Sequence, residues 1–185
     1  MTRARFAALS AFALTALLFT GACKRKSEVA AANLNAANKV ALRDVRLFYE
    51  SSQMLLAAEP RKIPLPESSA AAIPVVVREL IKGPAAQTSM RLFPADTTVR
   101  GAYLLPGGTV IVDLGGPTLT QGWGTGTHQE LMAIASLTQT VTTNFAEARR
   151  VRIVLNGAPA ETLAGHIALS RSFEAMNNLV EASSR

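Results

Sequence analysis

From Arg43 to Tyr49 the side chains alternate, with Val45, Leu47 and Tyr49 apolar against charged Asp44 and Arg46. A period of two predicts a strand half-buried against a core. A second apolar run, Met54 to Ala58, is followed by Glu59-Pro60-Arg61-Lys62 and then Ile63-Pro64-Leu65-Pro66. This reads as a hairpin whose second arm is confined by its prolines to an edge or a strap. The period then changes. Ile73, Val76, Val77, Leu80 and Ile81 fall at i, i+3, i+4, i+7 and i+8, one apolar stripe on a helix from Ala70 to Lys82. Pro74 sets the start of its regular part nearby, because proline fits a first turn and not an interior. Gly83-Pro84 stops it.

Two further strand patterns, Thr97 to Leu105 and Thr109 to Leu114, flank Pro106-Gly107-Gly108 and predict a hairpin. The continuously apolar Val110-Ile111-Val112 places the second arm centrally in its sheet. A glycine-rich loop, Gly115 to Gly126, leads to a second helix opening at Thr127. Glu130, three residues on, completes a capping-box pattern. The expected inner stripe is Leu131, Ile134, Thr138, Val141 and Phe145. Arg149 to Leu155 reads as a strand ending in Asn156-Gly157, a hairpin-type turn. The pattern weakens after Leu163, where a strand near His166 to Leu169 and a helix from Glu174 to Ala182 are the readings. Together these elements predict an α+β fold: a mixed, mostly antiparallel sheet with two helices packed on one face.

Ahead of this pattern the chain is different in kind. Arg3 and Arg5 precede an uncharged run from Phe6 to Phe19, too short for a bilayer span of about 20 residues and suited to a signal sequence. Thr20-Gly21-Ala22-Cys23 follows and resembles a bacterial lipobox, with Thr20 where leucine is commonest. Cys23 is therefore the expected lipid-attachment residue. It is also the only cysteine of 185 residues, so disulfides and thiolate metal sites are excluded. The expected organisation is a signal peptide over 1–22, a lipid-anchored Ala/Asn-rich linker over 23–41, a folded domain over 42–172 and a tail over 173–185. The anchor places the protein on the extracytoplasmic side of a bacterial membrane, inner or outer. Lys24 is at least not the aspartate that commonly retains lipoproteins in the inner membrane of Gram-negative cells.

Charge narrows the function classes. The formal charge is +6, but from Val40 onward 13 Lys/Arg stand against 12 Asp/Glu. The excess sits in Lys24-Arg25-Lys26, where it would add attraction to anionic headgroups. Nucleic-acid binding calls for a basic footprint on the folded domain, so no nucleic-acid partner is expected.

Six segments in register resemble the GerMN domain family, named for a spore-germination lipoprotein of endospore formers. They are Val45 to Tyr49, Ile63 to Pro66, Glu79-Leu80-Ile81-Lys82-Gly83-Pro84, Val110 to Leu114, the glycine loop with its helix to Leu137-Thr138-Gln139-Thr140, and Val151 to Gly157. The likeness covers about Arg43 to Leu163. It implies an exported protein, often a lipoprotein, similar to the interaction domains that assemble envelope complexes, and it brings no catalytic residues. The chain carries one such unit, not a tandem pair, and a longer glycine-rich insert.

Candidate chemistry is sparse. Gly122, Gly124 and Gly126 do not have dinucleotide-fingerprint spacing and begin well beyond the strand end. His128 and His166 lack ligand-spaced neighbours. Asp113 has only apolar sequence neighbours and suits a turn role. No G-x-S-x-G elbow occurs. Trp123, the only tryptophan, sits mid-loop and is the candidate partner contact, against the alternative that it folds back on the core.

The expected function is a membrane-tethered, non-catalytic interaction module of the cell envelope, without a cofactor. Its partners would be the membrane through Cys23 and an unidentified envelope protein, with self-association open. The alternatives are a lipoprotein binding a small ligand or glycan and, behind it, an enzyme. Cys23→Ser is expected to abolish metabolic labelling by fatty acid and leave the protein unprocessed or soluble; persistent acylation and membrane binding would refute the anchor.

Overall fold

The structure, a computed structural model, describes residues 40–182. The signal segment, Cys23 and nearly all of the linker lie outside the described residues.

Strand β1 (Val40–Ser51) runs antiparallel to β2 (Leu56–Pro66) in unbroken register from Val40 opposite Pro66 to Glu50 opposite Leu56. The expected hairpin within 54–66 is thus one continuous strand. Its prolines are accommodated because β2 is an edge, where a missing N–H costs no ladder bond. The short β3 (Ser89–Met90) pairs only with Glu50 and Ser51 of β1 and completes a first sheet in the order β2-β1-β3.

Helix α1 (Ser69–Ile81) follows β2. It starts well before Pro74, because Ser68 caps it by accepting the Ala71 N–H. Proline is therefore inside the helix. The predicted stripe is correct: Ile73, Val76, Val77, Leu80 and Ile81 are all buried.

The second sheet contains β4 (Thr98–Leu104), β5 (Thr109–Gly115), β6 (Arg150–Leu155) and β7 (Phe173–Glu174), in that order. Strands β4 and β5 form the predicted hairpin, and β5 is central. Strand β6 is parallel to β5, Thr109 opposite Arg150 through Leu114 opposite Leu155. A parallel neighbour needs a crossover, here α2 (Pro117–Gln121) and α3 (Thr127–Asn144). The glycine loop accordingly contains a short helix, with Leu119 buried. The α+β class and mostly antiparallel pairing hold, with the strands divided between two sheets. Helix α1 packs on β4 and the first sheet, and α3 touches both sheets.

Helix α3 explains the division. From Met132 to Val141 every residue is buried, whereas Leu131 is only half-buried, so the helix has no single inner stripe. Along β1, even-numbered residues turn their backbone away from β2, and β3 reaches only the far end. Ser136, Thr140 and Asn144, at i, i+4 and i+8, fill that gap. Ser136 Oγ donates to the Phe48 carbonyl at 2.6 Å, and Thr140 Oγ1 accepts the Phe48 N–H at 3.1 Å. Asn144 accepts the Arg46 N–H at 2.9 Å and donates to its carbonyl at 2.7 Å. One helix face thus serves as a side-chain strand against the open edge.

Toward the C-terminus, Asn156 (φ 52°) and Gly157 (φ 79°) form the expected turn, with Leu155 and Ala158 exchanging both hydrogen bonds. No second arm follows. The predicted 166–169 strand is a single bridge between Thr162 and Ala168, and the predicted 174–182 helix is a 3-10 turn, Asn177–Leu179. The domain also outruns its expected limits of 42–172: β1 begins at Val40, and the supposed tail supplies β7 and a bridge from Val180 to Leu56.

Leu80→Ala and Ile134→Ala should each cost about 2–5 kcal/mol by denaturant titration, because both side chains are fully packed. Exposed Arg78→Ala should cost little. Thr140→Val, which orphans the buried Phe48 N–H, should cost about 1–3 kcal/mol. Thr142→Val, which loses only bonds within its own helix, should cost clearly less; equal losses would refute the edge-capping role.

Candidate functional site

A cleft of about 530 Å³ lies between two loops. Leu119, Thr120 and Gly122 of the glycine-rich segment form one wall, and Asn156 with residues of 160–165 forms the other. Two buried carboxylates root the second wall in the scaffold, and an exposed one fastens the first.

Glu130, in the first turn of α3, is fully buried. It does not make the predicted capping box. Thr127 is the first helical residue, and Gly126, with no side chain to offer, is the cap. The Glu130 carboxylate instead reaches across to the second wall. Oε1 accepts the N–H groups of Leu163 and Ala164, both at 2.9 Å, and Oε2 accepts that of His166 at 2.8 Å. His166 Nδ1 lies 3.1 Å from Oε2. Burial by itself raises this carboxyl, but the N–H donors of Ala164, His166 and Leu163 outweigh it and hold the group below its usual range.

Asp113, at the end of β5, serves the turn as its position suggested. Oδ1 accepts the Gly157 N–H at 2.9 Å, and Oδ2 lies 3.3 Å from Arg100 Nε. On the other wall, Gly116 (φ 129°) lets the chain pass close to Asp96, where a Cβ would stand 2.6 Å from the carbonyl oxygen. Asp96 Oδ2 accepts the Thr118 N–H at 2.8 Å, and this bond chiefly holds the exposed carboxyl below its usual range.

Trp123 is half-buried, its ring 6.4 Å from that of Phe93 at 19°. It packs against the core margin and does not line the cleft. His128 neither caps α3 nor approaches His166; its Nε2 lies 2.6 Å from Oε1 of buried Glu50 on β1. Neither histidine pair lines a described cleft. Among the described residues no three His, Cys, Asp or Glu side chains converge for a metal ion, and no helix is long and apolar enough to cross a membrane.

The cleft's own side-chain polar groups are Thr120, Asn156 and Thr162. Thr120 Oγ1 already donates to the Gly116 carbonyl at 3.0 Å, and Thr162 Oγ1 accepts the Gly165 N–H at 2.9 Å. Such a cleft can hold a neutral polar segment, but it offers no acid–base pair. Sequence reasoning missed Glu130 as a loop brace. The available signal was its place four residues before Ile134, which puts the two on one face of the helix.

The chain belongs to the Germane family, described as sporulation and spore germination, whose sequence model matches residues 46–161. It carries a GerMN-type domain. Among solved structures it is similar to a Clostridium perfringens protein described as a lipoprotein, at 15% identity and TM-score 0.52, over 77% of this chain and 93% of that one. It is similar to the first GerMN domain of the sporulation protein GerM from Bacillus subtilis, at 19% identity and TM-score 0.50, over 73% and 98%. Against the tandem GerMN domains of the same protein the identity is 21% and the TM-score 0.49, and the chain spans 46% of their length. Identities this low speak to fold alone. Among curated proteins none matches significantly.

Because Glu130 is held below its unfolded value of about 4.3, its stabilisation is complete above that pH and fades as pH falls through the lower folded value. Glu130→Gln should therefore lower stability at pH 7 and flatten the loss of stability below about pH 5. An unchanged acid limb in urea titrations would refute the brace.

Proposed function

We propose that this protein is a membrane-tethered, non-catalytic interaction module of the bacterial envelope. Lipidated Cys23 would hold it at the membrane, and the paired loops 116–126 and 156–165 would meet an envelope protein. The observation that carries this reading is the use of the buried carboxylates. Glu130 and Asp113 bind backbone N–H groups and shape loops, and the cleft between those loops holds no titratable side chain. A group with several fixed donors to its charged form is poorly poised to exchange protons. Loops positioned by a rigid scaffold are where recognition concentrates. The description of one structural neighbour as a lipoprotein supports the exported setting.

A second reading, binding of a small ligand or glycan, is favoured by the same cleft, whose volume lies within the range of ligand pockets, about 300–1,000 Å³. One experiment separates the two. A photocrosslinking residue at exposed Gln121 should capture a defined envelope protein in living cells, and one at exposed Glu67 should not. Trp123→Ala should reduce the capture while costing only about 1–2 kcal/mol, the loss of its stack on Phe93. Absence of a protein adduct from Gln121 would refute the module reading. Global unfolding by Trp123→Ala would place the tryptophan in the core and the interface elsewhere.

A further inference from the structure

The two edges of the first sheet are guarded differently at the far end of the β1–β2 pair. Arg46 stands opposite Pro60, so on β2 as on β1 the even-numbered residues turn their backbone outward. Pro60, Pro64 and Pro66 are among them. Proline has no N–H to offer, so the β2 edge is closed to a further strand. On β1 the outward-facing residues at this end are Val40, Leu42 and Asp44, and none is a proline. Asn144 takes the next outward position, Arg46, and the face of α3 continues from there. Among the described residues no group pairs with the outward backbone of Val40, Leu42 or Asp44.

The side chains of this stretch are apolar and exposed. Val40 and Leu42 are 56% and 68% exposed, and the register sets them beside Pro66 and Pro64. An unpaired strand edge carrying exposed apolar side chains is a template for the addition of another strand. The residues just upstream are poorly suited to supply it. Residues 27–39 contain neither Gly nor Pro for the tight turn that would fold them back on 40–44.

We propose that β1 of a second copy of this chain pairs antiparallel with this edge, on a two-fold axis through Leu42. In that register Leu42 faces its own copy, Val40 faces Asp44 of the second copy, and Ala41 faces Arg43 of the second copy. Every outward backbone group from Val40 to Asp44 is then paired, and no like charges stand opposite. The neighbouring registers are worse. An axis at Arg43 opposes two guanidinium side chains and calls on Arg46, whose backbone Asn144 already holds. An axis at Ala41 leaves Asp44 without a partner among the described residues. With the axis at Leu42, Pro64, Leu42 and their copies form one apolar row across it. The pairing also closes on itself. The joined sheet has β2 at both outer edges, with its prolines facing out, so two copies complete the assembly. This edge is distinct from the paired loops, and the two surfaces are tested separately.

The test is sedimentation velocity of the full chain in detergent, with micelles in large excess over chains so that two chains rarely share one. A dimer fraction that rises with protein concentration is expected. Leu42→Lys, which sets like charges across the axis, should raise the dissociation constant at least about tenfold. Leu42→Pro removes an outward N–H that no bond within the sheet uses, so it should abolish the dimer and change the melting temperature little. Tyr103→Ser, at a 57% exposed site on the second sheet, should leave the dimer intact. In living cells a photocrosslinking residue at position 42 should join two differently tagged copies of this chain. A chain that stays monomeric at every concentration, or a dimer indifferent to Leu42→Lys, would overturn the proposal. So would an adduct from position 42 with another protein or with residues 23–39 of the same chain. If Leu42→Pro does not fold, Leu42→Lys, which keeps every backbone group, decides.

Discussion

The open edge of β1 is the constraint on which the two-sheet arrangement depends. A buried strand edge must place its N–H and C=O groups somewhere. β1 covers one edge with β2 and only the last two residues of the other with β3. Another strand would have fused the two sheets. The chain supplies instead a helix whose Ser136, Thr140 and Asn144 present hydroxyl and amide groups to Arg46 and Phe48. Their spacing of four keeps them on one face through the 3.6-residue turn. Because α3 is held by β1 on this face and by the second sheet elsewhere, it has to be buried all round, and its polar residues become core residues.

A second set of backbone groups explains another segment shared with the family resemblance. Helix α1 ends in Glu79-Leu80-Ile81-Lys82-Gly83-Pro84, and its last carbonyls lack helical partners. The Tyr49 hydroxyl donates toward the Leu80 and Gly83 carbonyls at 3.2 and 2.9 Å. Arg61 donates to Gly83 at 2.7 Å, and Arg91 donates to Ile81 at 2.9 Å and also to Lys82. Two guanidinium groups at the negative end of the helix also suit its dipole. Burial, opposed by Arg61, keeps the Tyr49 phenol well above its ordinary pKa and so a reliable donor. Glu59 and Glu79 orient Arg61 at 2.7 and 2.8 Å. The helix end, β1 and β2 are thereby tied at one point, which fixes how α1 leaves the first sheet.

What could be read in advance follows from whether the signal is local. The alternation in β1, the stripe of α1, the β4–β5 hairpin and the Asn156-Gly157 turn are each written within a few residues, and each is present. Three of the failures are cases in which a distant segment outbid a local rule. Glu130 fits a capping box three residues from Thr127, yet four donors in 163–166 claim its carboxylate. The prolines of β2 suggested a break, yet a long partner strand keeps the whole segment extended. The Asn156-Gly157 turn is correct, but β7, not the segment after the turn, pairs with β6. At the candidate site the glycine loop was legible as a loop and Asp113 as a turn residue. The cleft was not, because the 163–166 part of its far wall is held there by Glu130, from more than thirty residues away in the chain.

That dependence bears on what the cleft can do. A loop left to itself loses conformational freedom when it binds, and this ordering opposes association. Here the ordering is already provided by the fold. Asp113 fixes the turn at 156–157, Glu130 fixes 163–166, and Gly116 with Asp96 fixes the approach to α2. The segment between, from Gly122 to Gly126, is held by the stack of Trp123 on Phe93 and by the Thr125 hydroxyl, which donates to Gln129 Oε1. The result is a pair of braced shoulders around a short stretch that carries one large aromatic side chain. A catalytic cleft would concentrate its fixed groups on a reacting atom. This one directs them inward, at its own backbone, an arrangement that supports the proposed reading in which the shape of the loops meets a partner.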